Sequence, residues 1–433
     1  MAYFTQILKL AEQVSLWADL RHEQGEDISR ELKKIERALE ASRKSLERWR
    51  ISDATLSREP NSLQSIRTLR PAGPRRMENP TLRADFVNRM RGAWLGRAAG
   101  CTLGVPVEAW SVADMKELAT LGSQAFPPKE YWAIHPKQNL VHHKVKRIKD
   151  YLKGNITEVP VDDDLGYTQL GLLILERHGL NFTTENVADM WQKHLPLAWT
   201  AEEVALNNLK QGIRPQKAGG VNNPYQEWIG ADIRSDAWAY ACAGWPERAA
   251  ELAYRDAILS HRGNGVYGAM YFAAAIAAAF VVNDPIDALG IGLTEIPREC
   301  RLAKDLRWAL RIAPKLKSWE QARAAVDKRF NGMHVVHTNN NACLTVFGVF
   351  LGNGDFTKTI GSCVAMGYDN DCTAATAGSL LGAVVGLDRI PGHWWKPFGN
   401  RAASYLNGIR SFRNDEIVRR FCVLTKRTWA QGT

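Results

Sequence analysis

The chain has 433 residues, of which 45% are hydrophobic and 24% are charged, and its net charge is +10. This composition excludes a disordered chain, and the length suits one large domain or two ordinary ones. The longest apolar run, residues 267–282, is shorter than the roughly 18 residues of a membrane span, which predicts that the chain has no transmembrane helix. The positive charge suits an anionic partner, such as a diphosphate ligand or a nucleic acid, although a solubilising surface explains it equally well.

The cysteines bear on the cellular compartment. There are seven of them, an odd number, and no two are spaced as Cys-x-x-Cys. This pattern is typical of free thiols in the reducing cytosol. Because the first residues also lack the basic and apolar regions of a secretory signal, we predict a cytoplasmic protein.

The first 52 residues are predicted to form a helical hairpin. Apolar residues recur at spacings of three and four before Gly25, and again from Ile28 to Trp49, where they form a heptad stripe flanked by charges. The hairpin could pack on the main domain, pair with another copy of the chain or bind a different partner. Packing on the main domain is the expectation, because three heptads are short for an independent coiled coil.

Residues 53–84 are predicted to be a basic linker, which contains four prolines and few large apolar residues. From residue 85 onward the apolar spacing is helical and strand patterns are scarce, which predicts one all-α domain over residues 85–433. The predicted helices include residues 86–99, 167–177, 186–195, 201–211, 246–260, 267–282, 303–313, 319–330, 341–350 and 356–366.

Two acidic segments open helices within this domain. Asp162, Asp163 and Asp164 precede an apolar helix, and Asp369 and Asp371 precede a helix of small residues. One aspartate at a helix start is an ordinary cap, so each segment taken alone also fits a solvated helix start. Several like charges that enter a packed core are costly unless a cation compensates them. Carboxylate oxygens suit Mg²⁺, Mn²⁺ or Ca²⁺, and these acids could hold one ion or two.

Several short motifs follow one another in order between residues 87 and 390. The first motif, in residues 91–96 and 100–108, is a helix followed by a turn and a glutamate, and the second is the aspartate triplet at residues 162–164. The third, in residues 260–279, is a Ser-His pair followed by a helix of small residues, and the last is the Asp-x-Asp motif at residues 369–372. Together these motifs resemble the ADP-ribosylglycohydrolase family, which is related to the dinitrogenase-reductase-activating glycohydrolases. Residues 332–341 resemble a divergent bacterial branch of that family.

The resemblance implies an all-α orthogonal multi-helix bundle with a binuclear Mg²⁺ or Mn²⁺ centre beside the distal ribose of the substrate. By residue matching, the implied metal ligands are Asp162, Asp163, Asp164, Asp369, Asp371 and Cys372. The implied catalytic residues are Glu108, Asp163 and Asp371. Asp162 stands where the family usually has a threonine, and Cys372 stands where it has a hydroxyl residue.

A second set of residues is implied to bind the substrate. These residues are Ser260, His261, Gly263, Gly265, Gly268, His337 and Asn340. The backbone N–H groups of the glycine-rich turn could face the diphosphate at the start of a helix. His261 could instead be structural, and His337 and Asn340 could cap a helix rather than contact the adenosine or the distal ribose.

The implied function is hydrolysis of the glycosidic bond between ADP-ribose and a modified partner, with release of ADP-ribose. That partner can be a protein side chain, a small molecule or a nucleic acid, and the bond breaks through an oxocarbenium-like transition state. Two alternatives stay open at this point. One is a module that binds ADP-ribose without turnover, and the other is a hydrolase of another N-riboside on the same fold.

Overall fold

The computed structural model describes residues 5–49, 51–142 and 146–431. It consists mainly of helices, with two small antiparallel strand pairs, and this confirms the predicted all-α fold class. Residues 1–4 and 432–433, at the ends of the predicted domains, and residue 50 lie outside the described residues. Within the described ranges, none of the helices combines the length and the apolarity that a membrane span needs.

The helices of the described residues are numbered in chain order. The first ten are α1 Thr5–Glu23, α2 Ser29–Glu47, α3 Asp53–Arg58, α4 Leu63–Leu69, α5 Phe86–Gly104, α6 Val112–Leu121, α7 Asp163–His178, α8 Thr184–His194, α9 Thr200–Lys210 and α10 Pro215–Ala218. The next ten are α11 Ser235–Ala241, α12 Pro246–Ala257, α13 Asn264–Ala279, α14 Pro285–Gly292, α15 Arg301–Ile312, α16 Trp319–Arg329, α17 Thr338–Gly352, α18 Phe356–Met366, α19 Asn370–Val385 and α20 Asn414–Gln431. The strand pairs are β1 Val141–His142 with β2 Lys146–Arg147, and β3 Ala402–Ala403 with β4 Ser411–Phe412.

The chain forms two compact units. The smaller contains the residues up to Ser57 together with Phe330–His334, and the larger contains Arg58–Arg329 and the residues from Val335 onward. Helices α1 and α2 lie in the smaller unit and are joined by a turn at Gly25. The predicted domain boundaries at residues 52 and 84 stay predictions.

Apolar periodicity located the main helices closely. Helix α18 has the predicted bounds, and α8, α9, α15 and α16 begin and end within two residues of the predicted ranges. Helix α5 continues to Gly104, five residues beyond the predicted end. Helix α20 was not among the predicted helices. The expected free thiols are confirmed, because all seven cysteines are unpaired and buried.

The segment predicted as a basic linker makes specific contacts within the larger unit. Ile66 in α4 is fully buried. Arg70 and Arg75 both form ion pairs with the buried carboxylate of Glu295. These two arginines therefore hold their segment by charge pairing and are not simply a solvated basic face.

Helices α5 and α19 approach each other backbone to backbone. Helix α5 carries a glycine at every fourth position, which places these residues on one face: Gly92, Gly96, Gly100 and Gly104. A Cβ atom on Gly96 would lie only 2.4 Å from the carbonyl oxygen of Gly378, and one on Gly104 would lie 2.3 Å from the Cα atom of Asp371. Because no larger residue fits, this face fixes the distance between the two helices and brings the end of α5 to the acidic start of α19.

We expect Gly96→Ala to destabilise the fold, because the added methyl group overlaps the Gly378 carbonyl oxygen and forces α5 and α19 apart. Overpacking of this kind costs about 1–3 kcal/mol, which a lower thermal unfolding midpoint in circular dichroism measures. Gly290→Ala is the matched control, since Gly290 is also helical but a Cβ atom there meets nothing within 4 Å. The control should unfold at or above the wild-type temperature, because alanine favours a helix. Equal midpoints for Gly96→Ala and the wild type would contradict the close approach.

Candidate metal centre

Acidic side chains from three parts of the chain converge on one place. Ligand atoms of Glu108, Asp369 and Asp371 lie within 4.8 Å of one another, and so do those of Asp164, Asp371 and Cys372. The three consecutive aspartates at residues 162–164 form a third such group. Since Asp371 and Asp164 are each shared between groups, the three groups form one cluster, which we call the acidic cluster. The two acidic segments predicted from the sequence therefore do meet in space.

Three helix ends position the acidic cluster. Asp162 is the N-cap of α7, where its side chain accepts a hydrogen bond of 3.0 Å from the backbone N–H of Asp164. Asp369 is the N-cap of α19, and Asp371 lies in the first turn of that helix. Glu108 follows α5 after a short 3-10 turn. Carboxylates at helix N-termini are stabilised by the helix dipole, so α7 and α19 both favour the charge placed at their starts.

Most of the acidic cluster is shielded from water. The side chains of Asp162, Asp164, Asp369 and Asp371 are all buried. Glu108 and Asp163 are only half-buried. The solvated helix starts that the sequence left open are therefore absent at these four buried aspartates, and a ligand from solution can reach the cluster on the side of Glu108 and Asp163.

The burial of neighbouring like charges changes their proton affinity. Burial raises the pKa of Asp164 to about 8; Arg97 opposes this rise, and the neighbouring aspartates add to it. Burial also raises the pKa of Asp369 well above its usual range, and the charges of Asp371 and Glu108 contribute in the same direction. When its carboxylates are ionised, the cluster therefore has more negative charge than its own surroundings compensate.

Arg97 is the cationic side chain that braces the acidic cluster from inside the protein. It is fully buried in α5, and its guanidinium lies 3.1 Å from a carboxylate oxygen of Asp164 and 2.6 Å from one of Asp236. It also donates a hydrogen bond of 2.7 Å to the backbone oxygen of Ile233. Arg97 therefore fixes the position of Asp164 and offsets part of its charge. The sequence analysis assigned it no role.

A histidine outside the predicted site holds the other end of the aspartate triplet. The Nε2 atom of His142, at the end of β1, lies 2.8 Å from Oδ2 of Asp162. The ring of His142 also packs edge-on against Tyr151, with 5.6 Å between the ring centroids. Both carboxylate oxygens of Asp162 thus contact the chain itself, one at the helix cap and one at His142.

The donor atoms of the cluster fit a hard divalent cation. The Oδ1 atom of Asp369 is buried and has no hydrogen-bond partner among the described residues, which is costly unless a further group binds there. Its neighbours at the site are carboxylate oxygens, the ligands that Mg²⁺, Mn²⁺ and Ca²⁺ prefer. The thiol of Cys372 lies 3.2 Å from a carboxylate oxygen of Asp164 and can donate a hydrogen bond to it. Burial raises the pKa of Cys372, which keeps it a thiol rather than a thiolate ligand.

Two of the residues predicted to bind substrate lie in a buried polar network. The hydroxyl of Ser260 lies 2.8 Å from Nδ1 of His261 and accepts a hydrogen bond of 3.0 Å from Arg234. Arg234 is itself paired with the buried carboxylates of Glu202 and Asp256. Burial and the charge of Arg234 lower the pKa of His261 well below its usual value, so its imidazole is neutral at physiological pH.

The glycine-rich turn lies at the start of α13, and its first amides bind acceptors of the chain itself. The backbone N–H of Gly263 donates to Asn61, at 2.8 Å, and that of Asn264 donates to the carboxylate of Glu227, at 3.2 Å. Gly265 lies against the backbone of Gln226. In this structure the N-terminus of α13 therefore faces a carboxylate of the protein.

The remaining predicted residues lie near the start of α17 and in α13. His337 is the N-cap of α17, as the capping alternative expected, and its Nε2 atom lies 3.5 Å from a carboxylate oxygen of Glu227. The side-chain oxygen of Asn340 accepts a hydrogen bond of 2.8 Å from the backbone N–H of Asn341. The side chain of Asn341 in turn accepts one of 3.3 Å from the backbone N–H of Asp369, so the start of α17 adjoins the acidic cluster.

Gly268 packs close to another buried carboxylate. A Cβ atom on this glycine would lie 2.1 Å from Oδ1 of Asp232 and 2.6 Å from Cγ2 of Thr338. Asp232 immediately precedes Ile233, the residue whose backbone oxygen accepts a hydrogen bond from Arg97. The substrate-binding roles of these residues stay predictions.

A buried acidic cluster at converging helix ends, within an all-α domain, defines a protein with a candidate divalent-metal centre. The family model for ADP-ribosylglycohydrolase matches residues 82–422, which include the whole cluster. The chain belongs to the ADP-ribosylglycohydrolase family, and the resemblance drawn from the sequence motifs is confirmed.

Two further comparisons complete this result. A solved structure described as an "ADP-ribosylglycohydrolase-related protein complex" is 18% identical in sequence, with a TM-score of 0.48, and the match covers 79% of this chain and 98% of that chain. The comparison with curated proteins found no match.

We expect Mn²⁺ or Mg²⁺ to raise the thermal unfolding midpoint of the protein, because a cation that binds only the folded cluster stabilises it. Asp369→Asn should abolish this increase. Without metal, the same variant should unfold at a higher temperature than the metal-free wild type, because burial and the neighbouring acids disfavour the charge that the substitution removes.

Differential scanning fluorimetry with and without a chelator measures both effects. Asp388→Asn is the matched control, since Asp388 is an exposed acid just after α19. It should respond to metal as the wild type does. A wild-type midpoint that millimolar Mg²⁺ and Mn²⁺ both leave unchanged would argue against a metal centre.

Proposed function

We propose that the chain hydrolyses the glycosidic bond between ADP-ribose and a modified partner, and that it uses Mg²⁺ or Mn²⁺ to do so. The observation that carries this proposal is the convergence of the half-buried Glu108 with the buried Asp164, Asp369 and Asp371 within the region that matches the family. A solubilising surface would explain the positive net charge, but it would not explain why acidic side chains are buried together. The predicted cytoplasmic location agrees with the buried free thiols.

The proposed metal ligands are the acids of the cluster. Asp163, Asp164, Asp369 and Asp371 would hold two ions, with Asp162 and the thiol of Cys372 at the edge of the set. A bound divalent cation supplies positive charge that orients the ribose hydroxyls and offsets the buried carboxylates. Arg97 and His142 contact Asp164 and Asp162 and hold them in position.

The chemical step needs a proton acceptor and a proton donor. Water adds a hydroxyl group to the anomeric carbon, the bond from that carbon to the N or O atom of the partner breaks, and its electron pair leaves with that atom, which takes a proton. Glu108 is half-buried and within 4.8 Å of Asp369 and Asp371, so it can accept the proton of the attacking water at the open side of the cluster. Asp163 and Asp371 are the other proposed catalytic residues.

The substrate would extend from the acidic cluster toward the starts of α17 and α13. The contact between Asn341 and Asp369 supports this placement, because it joins the segment of His337 and Asn340 to the cluster. Ser260, His261, Gly263, Gly265 and Gly268 complete the proposed substrate-binding set. Binding of a diphosphate at the turn would require it to displace the carboxylate of Glu227 from the amide of Asn264.

The modified partner can be an ADP-ribosylated protein, a small molecule or a nucleic acid. The net charge of +10 favours an anionic substrate in each case, since the diphosphate of ADP-ribose is common to all three. Among these three partners, a nucleic acid is supported only by the positive net charge.

One observation favours a second candidate function, a module that binds ADP-ribose without turnover. Cys372 supplies a thiol, which is a poor ligand for Mg²⁺.

The test is to incubate the protein with ADP-ribosyl-arginine peptide, ADP-ribosyl-serine peptide and a plain nucleoside, in Mg²⁺, in Mn²⁺ and in a chelator. We expect metal-dependent release of ADP-ribose from one of the peptides, measured by liquid chromatography and mass spectrometry. ADP-ribose binding without release from either peptide would favour the binding module. Release from the nucleoside alone would favour a hydrolase of another N-riboside.

We expect Glu108→Gln to lower kcat by about 10²–10⁴-fold, because the amide cannot accept the proton of the attacking water. The thermal unfolding midpoint of the metal-free variant should stay within a few degrees of the wild type, since Glu108 is only half-buried. Asp388→Asn again serves as the control and should keep full activity. Normal turnover by Glu108→Gln would remove Glu108 from the catalytic set.

A further inference from the structure

The two long helices of the smaller unit present a large apolar surface to solvent. No residue from Gln6 to Glu23, and none in α2, is buried. The exposed apolar side chains are Ile7, Leu8, Leu10, Leu16, Trp17 and Leu20 in α1, Leu32, Leu39 and Leu46 in α2, and Trp49 just after α2. We call this set the hairpin surface.

The hairpin surface needs a partner for the helices to be stable. Each helix has 19 residues, and isolated helices of such length are marginal in water unless an apolar face is packed. In α2 the exposed leucines at positions 32, 39 and 46 are spaced by seven residues, the repeat that places them along one seam between paired helices. Leu46 and Trp49 are 72% and 76% exposed, so the end of this seam is the least covered part.

The charge of this segment selects against a strongly charged partner. Residues 5–49 contain nine Lys and Arg residues and nine Asp and Glu residues, whereas the whole chain has a net charge of +10. Within α2, Glu31 pairs with Lys34, and Glu40 and Glu47 both pair with Arg43. Two neutral surfaces of this kind can approach without repulsion, and a nucleic acid finds no excess of positive charge to bind.

The size of the hairpin surface suits pairing with an identical surface. Ten large apolar side chains offer on the order of 800 Å² per copy, which is about the area that each partner contributes to a standard interface. Both helices have the same length of roughly 28 Å, at 1.5 Å per residue, so two copies can align all four along their length. A polar residue, Ser42, also lies on the stripe, where one polar position can select a register.

We propose that the hairpin surface binds the hairpin surface of a second copy of this chain, so that the protein is a homodimer joined by a four-helix bundle. The interaction is apolar and self-complementary. It involves no residue of the acidic cluster, so it can be tested without a measurement of activity. Its success or failure is therefore distinguishable from that of the proposed hydrolase function.

Analytical ultracentrifugation of the full chain between 1 and 100 µM tests the proposal. We expect the wild type to have twice the mass of one chain, and the double variant Leu39→Glu, Leu46→Glu to weaken dimerisation at least 100-fold. Both leucines are exposed and lie outside the larger unit, so the metal response of that unit should stay as in the wild type. The hairpin helices of the double variant should lose part of their helicity, because they no longer have a packed apolar face. Raising the salt concentration from 0.05 to 0.5 M should not dissociate the wild-type dimer, since no net charge holds it together.

The matched control is Leu121→Glu, which places the same charge on an apolar residue that is 67% exposed at the end of α6. This variant should remain a dimer. The proposal is overturned if the wild type has the mass of one chain at 100 µM, or if the double variant dimerises as strongly as the wild type.

Discussion

The close approach of α5 and α19 is the constraint from which the site follows. The glycines of α5 leave no side chain between the two backbones, so Gly104 lies directly against Asp371. The chain then has only a short turn in which to reach Glu108, and that residue arrives beside Asp369 and Asp371. A larger residue on this face would move the glutamate and the two aspartates apart. The geometry of the acidic cluster is thus set by backbone packing before any ligand is considered.

That packing has an electrostatic cost, because it buries several carboxylates together. Arg97 compensates Asp164 and Asp236, but the buried Oδ1 atom of Asp369 has no hydrogen-bond partner among the described residues. A buried ion pair is worth little in net stability, whereas a buried charge without a counter-charge is strongly destabilising. The buried carboxylates therefore favour a positive charge at this place, and the family match and the carboxylate ligand atoms also indicate a cation there. On the proposed function, binding of a metal ion would therefore stabilise the larger unit.

The helices, the family and the acidic residues could be predicted from the sequence, because each has a local signal. Apolar spacing marks helices such as α8 and α18, and adjacent aspartates mark the starts of α7 and α19. The roles of Arg97 and His142 were not predicted, because each contacts an aspartate that is distant in the sequence. Arg97 lies 67 positions from Asp164, and His142 lies 20 positions from Asp162. For Arg97 a signal existed: it is the one charged residue between Gly92 and Gly104, where the other residues except Thr102 are small or apolar. His142 offers no comparable signal, because only the fold brings the end of β1 to Asp162.

The distribution of charge separates the chain into two surfaces with different physical roles. Residues 5–49 are neutral, so the whole excess of ten positive charges lies in the rest of the chain. In the proposed function, this excess of positive charge would attract an anionic ligand such as the diphosphate of ADP-ribose, and a bound cation would offset the repulsion of the carboxylates. The neutral hairpin takes no part in that attraction, and its exposed leucines make it an apolar surface instead. The proposed attraction of an anionic substrate and the proposed apolar self-association therefore use different residues of one chain.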